Sequence, residues 1–154
     1  MKGVAWLPVL AGRFGISDVH YCTVAHTAPL APTNECADLI QDTAGSVVVT
    51  HNVHFVRGML ERHFERLGLS FPKRTWLEIT SILDGRPDRE VAATSISHWS
   101  GMMKSSPRRP HDAVHDVFIL AQMLLAVLSY AEESGAETLD AVLRNKKARA
   151  WLRG

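Results

Sequence analysis

Cysteine is scarce in this chain. Cys22 and Cys36 are the only two among 154 residues, and their separation matches neither a zinc-module spacing nor a disulfide framework. Both are expected to be small core residues in a reducing cytoplasm. The longest uncharged apolar stretch near the N-terminus, residues 3 to 12, is broken by Pro8 and is too short to span a bilayer. Lys2 precedes it, but no small-residue cleavage site closes it, so a soluble chain with no membrane association is expected. Charge of a single sign is also absent: 17 Lys and Arg against 16 Asp and Glu leave a net +1. That excludes a uniformly basic coat for nucleic acid but not a local patch. No internal repeat and no low-complexity tract occurs. What remains is a composition of 46% hydrophobic and 21% charged residues, which is globular. A chain of this length forms one domain, residues 1–154, and buries about two-thirds of its unfolded surface.

The β-branched and aromatic content of residues 4–10 and 19–25 predicts short strands, with Pro8 demoting the first to an edge or a loop. Residues 26–33 form a loop, after which Cys36, Leu39 and Ile40 mark one face of a helix that runs to Gly45. Three consecutive valines, Val47 to Val49, predict a strand buried on both faces, as parallel sheets require. From 53 to 67, Val56, Leu60, Phe64 and Leu67 fall on one helical face and Gly68 ends it. Residues 74–79 form a further strand, 85–88 a turn and 92–103 a helix. A long helix from 111 turns Val114, Val117, Phe118, Ala121, Leu125 and Leu128 to a core, and Ser134-Gly135 stops it. A basic helix, 137–152, follows. Helices alternating with short strands predict an α/β fold with a mixed sheet.

Two segments carry candidate chemistry. At His51-Asn52 the chain leaves the end of a buried strand and enters a helix, the place where open α/β sheets receive ligands. The unpaired amides of that helix start suit an anion such as phosphate, although Asn before a helix is also an ordinary cap. Sixty residues later comes His111-Asp-Ala-Val-His-Asp116 at the start of the longest helix. Just before His111 lie candidate basic contacts, Lys104, Arg108 and Arg109, and residues 144–153 hold a basic tail of Arg144, Lys146, Lys147, Arg149 and Arg153. A solvated loop and a solvated helix face are the plain alternatives.

The strand, His-Asn, Phe55 and a helix ending in Leu-Gly-Leu, followed by His-x-Ala-x-x-Asp, resemble the second and third motifs of the DEDD-type 3'-5' exonucleases. This is the DnaQ-like family of the ribonuclease-H-like fold, which includes the proofreading epsilon subunit of bacterial DNA polymerase III. The resemblance covers roughly residues 25–130, with Thr75 at the head of a strand as is frequent there. It implies a ribonuclease-H-like sheet flanked by helices. By the same resemblance, His111 is the general base that activates water, Asp116 a ligand to one of two divalent ions, Mg2+ or Mn2+, and His51, Asn52, Phe55, Arg108 and Arg109 contacts to the 3' end of a single strand.

The chain departs from that family in its acids. Two-metal phosphodiester hydrolysis needs several carboxylates around ions about 4 Å apart, and magnesium binds poorly to an isolated one. The family's first-strand Asp-x-Glu does not occur in the fifty residues before His51, and Val56 stands where the acid after the aromatic belongs. Of four acids, Asp116 remains. Three explanations stay open: a truncated chain lacking its first strand, a degenerate member that keeps the groove without turnover, or replacement ligands among Asp18, His54, Asp112 and His115. Histidine ligands would favour manganese or zinc. A different class is an inactive interaction module that docks a polymerase or a sister chain through residues 137–152.

Overall fold

Pro8 limits the first strand. In the computed structural model, which describes residues 2–24, 34–79, 100, 101, 104, 112–133, 135 and 141, β1 runs Lys2–Trp6 and stops two residues before that proline. It pairs antiparallel with β2, His20–Val24, with Trp6 opposite His20. Their rings stack at 5.3 Å between centroids, a favourable cross-strand aromatic contact. A short 3-10 turn, Ile16–Asp18, leads into β2, and Asp18 spends its carboxylate locally on the Gly15 amide and the Ser17 hydroxyl.

Helix α1, Asn34–Asp42, buries Cys36 and Leu39. Its C-terminal carbonyls find donors from outside the helix. The Arg74 guanidinium donates to Ile40 O at 2.8 Å and to Thr43 Oγ1 at 3.1 Å, while Thr43 Oγ1 donates to Leu39 O. A cation at this end also matches the sign of the helix dipole. β3, Val47–Thr50, then pairs parallel and in register with β4, Thr75–Glu78, the connection being α2, Val53–Arg66. This is the β-α-β unit that the alternation of patterns predicts.

Helix α2 ends as its sequence suggests. Gly68 adopts φ +70, its amide reaches Glu65 O, and the Leu69 amide reaches Phe64 O, which together form a Schellman cap. Leu60 and Phe64 are buried and Val56 and Leu67 pack beside them, so the expected face is the observed one. The long helix, α3, runs Ala113–Glu133. Asp112 precedes it and accepts from the Val114 and His115 amides, an N-cap.

The face that α3 buries differs from the expected one. Ile119, Ala121, Met123 and Val127 are buried, whereas Val114, Val117, Phe118, Leu125 and Leu128 are only half-buried. The helix is apolar nearly all round, so spacing alone did not single out one side.

Among the described residues two core clusters result, one on each side of the parallel pair. Val49 and Ile79 lie against Ile119, Met123 and Val127 of α3. Trp76 lies with Leu60 and Phe64 of α2, and the same cluster takes in Cys36 and Leu39 of α1, Cys22 of β2, and Val4 and Trp6 of β1. Alternation along a strand makes this arrangement, since residues two apart share a face. The α/β class therefore stands. The described strands form two two-stranded sheets rather than one mixed sheet, and Val47 to Val49 are half-buried rather than enclosed on both faces. The expected loop 26–33, turn 85–88, most of the helix 92–103 and the basic helix 137–152 lie outside the described residues. No helix among the described residues is long and apolar enough to cross a membrane.

Candidate functional site

The β3–α2 junction is built by Asn52. Its Oδ1 accepts the Phe55 amide at 3.0 Å, so the side chain serves first as the helix cap. His51 is half-buried at the bend, and Phe55 stands 54% exposed on the first turn, an unusual position for a phenylalanine. These groups sit where β3 ends, at the C-terminal edge of the parallel pair, the edge at which such sheets bind ligands.

Asp116 lies on the first turn of α3, one turn before Ile119, whose cluster includes Val49 of β3. Both motifs are thus carried by elements that share a core. The Asp116 carboxylate, 36% exposed, has the His115 Nδ1 at 3.6 Å, and the His115 Nε2 is 3.5 Å from Ser100 Oγ. Lys104 is exposed at a turn. His111, Arg108 and Arg109 lie outside the described residues, as does the basic tail.

Of the four proposed replacement ligands, Asp18 and Asp112 are engaged in the local capping bonds above, and His54 is exposed on α2. Val56, at the position of the missing acid, packs against the cluster of Leu60 and Phe64. Among the described residues Asp116 belongs to no cluster of three or more His, Cys, Asp or Glu donors. That donor set does not fit a pair of magnesium ions.

A different constellation lies inside the molecule. Leu60, His63, Phe64 and Leu67 follow the i, i+3, i+4, i+7 pattern, which turns the imidazole of His63 inward with the apolar face of α2. Cys36, on the first turn of α1, and Cys22, in the middle of β2, meet it there. Exposure is 3% for His63, 3% for Cys36 and 5% for Cys22. One ligand atom from each lies within 4.8 Å of those of the other two, and Cys36 Sγ is 3.7 Å from His63 Nε2. His63 Nδ1 is buried with no hydrogen-bond partner.

Burial holds the His63 pKa below its ordinary value, with Arg66 adding to the effect. Burial also pushes the Cys22 thiol up to about 12, with Cys36 and then Glu35 acting in the same direction. Both groups are therefore neutral at pH 7. The spacing of the cysteines does not reveal this meeting, because its three donors come from three elements. One signal was available: a histidine on the apolar face of α2, flanked by Leu60 and Phe64.

Compared with protein-family models, with curated proteins and with solved structures, the chain matches none.

Proposed function

We propose that this chain is an exonuclease-like domain, of the ribonuclease-H-like kind, that holds the 3' end of a single nucleic-acid strand without turning it over. The observation that carries the reading is Phe55, an exposed aromatic ring on the first turn of α2, at the C-terminal edge of the parallel pair β3–β4. An aromatic face stacks on any base and is worth about 1–3 kcal/mol per base. The helix start beside it offers amide groups to a phosphate. In this reading His51 and Asn52 line the same mouth, Arg108, Arg109 and Lys104 add phosphate contacts, and His111 and Asp116 are remnants of the hydrolytic set. The packed Val56, and the lack of a three-donor cluster at Asp116 among the described residues, support holding over cutting.

The test is fluorescence anisotropy with 5'-labelled single strands of DNA and RNA, each with a free or a blocked 3' end. The reading expects binding that prefers the free end, weakens steeply with salt, and falls about tenfold in Phe55→Ala. Parallel incubation with Mn2+ should leave the strands intact. A ladder lost in Asp116→Asn and in His111→Ala would make the chain an active enzyme and overturn the silent reading. If no strand binds even at low salt, the nucleic-acid reading falls, leaving a module that engages a protein partner.

A further inference from the structure

We propose that Cys22, Cys36 and His63 form a buried binding site for a thiophilic divalent cation, Zn2+ foremost, which fastens β2, α1 and α2 to one another. The site is independent of the nucleic-acid reading. The donors are two sulfurs and one imidazole nitrogen, a set that suits zinc and gives magnesium or calcium nothing they prefer. Zinc takes thiolate at about 2.3 Å and imidazole at about 2.0–2.1 Å in a tetrahedron, which requires donor atoms roughly 3.5–3.8 Å apart. The Cys36 Sγ to His63 Nε2 separation of 3.7 Å already meets this, and the remaining pairs lie within 4.8 Å. Closure around an ion needs side-chain adjustments of about an ångström and no rearrangement of the fold.

The burial of His63 argues the same way. A histidine kept in a core for its hydrogen bonds has partners at both nitrogens. Here Nδ1 has none, and Nε2 has the Cys36 thiol at 3.7 Å. Charge decides between metals: two thiolates and Zn2+ sum to zero, whereas two thiolates and Cu+ leave a net negative charge in an apolar core, where it is costly. Binding releases the two thiol protons to solvent, and no redox step is involved. With three protein donors, the fourth zinc position takes a water, as three-ligand zinc sites do.

The experiment uses the full chain, reduced and freed of metal, titrated with Co2+ and then Zn2+ under anaerobic conditions. One equivalent of Co2+ should develop the sulfur-to-metal charge-transfer and tetrahedral d–d absorption of a thiolate centre, and Zn2+ should abolish both. Metal analysis after dialysis should return one zinc per chain. Cys36→Ala and His63→Gln should each weaken Zn2+ binding by more than the 10–100-fold that an outer-shell change costs. Because those variants remove core side chains, their folding is checked by circular dichroism, and the Co2+ spectrum of the unaltered chain stands without them. Absence of the thiolate bands and of bound zinc in the folded, reduced chain overturns the site. So does a Cys22–Cys36 disulfide that mass spectrometry finds in chain purified under argon and that metal does not prevent.

Discussion

The indole Nε1 of Trp6 donates to the Asp42 carboxylate at 2.8 Å, so the last residue of β1 holds the last residue of α1. His20 stacks on the same indole and has its Nε2 3.8 Å from the same oxygen. The bond is exposed, and its loss is expected to cost about 1 kcal/mol. Asp42→Ala should lower the urea midpoint accordingly with an unchanged slope, and Asp42→Asn, which keeps an acceptor, by less. Equal losses in the two variants would assign the effect to charge rather than to the hydrogen bond.

Asn52 and Phe55 should separate stability from recognition. Removing the cap in Asn52→Ala is expected to cost about 1 kcal/mol of folding stability. Truncating the exposed ring in Phe55→Ala should leave stability within about 0.5 kcal/mol while weakening strand binding. Thermal melts and anisotropy on the two variants would show the crossed pattern; a large thermal loss in Phe55→Ala would return that ring to a structural role.

Two glycines of the α2 region should respond to alanine in opposite directions. At Gly68 a Cβ would meet open space, yet φ +70 is left-handed, so Gly68→Ala is expected to lose about 1–2 kcal/mol through the backbone alone. At Gly58, inside the helix, a Cβ would approach only the exposed end of Arg62, at 3.3 Å. Gly58→Ala should therefore gain up to about 1 kcal/mol of helix propensity. Chemical denaturation of both variants decides the signs.

Stability of the metal-free chain should fall at both ends of the pH scale. His63 has a folded-state pKa below its ordinary 6.5, so the unfolded chain takes up the proton first. Its contribution is fully present above about pH 6.5 and is lost as pH falls below that value. Cys22 is raised from 9.0 to about 12, so the unfolded thiol ionises first. That contribution is present below about pH 9 and is lost as pH rises toward 12. Melting temperatures across this range should show a shallower acid limb in His63→Gln than in the parent, and a shallower alkaline limb in Cys22→Ala.

Much of the fold was legible in the sequence because local pattern and packing agree in the middle of the chain. In α2 the apolar positions, the cap at Asn52 and the stop at Gly68 all point the same way, and the structure follows them. β3 was legible from its run of three valines between turn signals, and β4 falls within the strand expected over 74–79. The existence of α3 was legible as well, but its buried face was not, because a helix with apolar residues on every side takes its orientation from neighbours. The lateral order of strands depends on contacts distant in sequence, which is why two small sheets replaced the single one expected. For the candidate sites the division is similar. The Asn52 cap and the exposed Phe55 follow from residues next to one another. The Cys22, Cys36 and His63 meeting depends on where three elements come to rest, and only the inward register of His63 hinted at it.

The two hydrophobic clusters have an implication for how the chain is made. Every described member of the cluster around Phe64 precedes residue 77, whereas the other gathers most of its mass from residues 119–127. A nascent polypeptide can therefore seal the first cluster while the codons for α3 are still unread, since domains acquire structure as they emerge. What waits is the far side of the parallel pair, where Val49 and Ile79 remain open to solvent until α3 arrives to cover them.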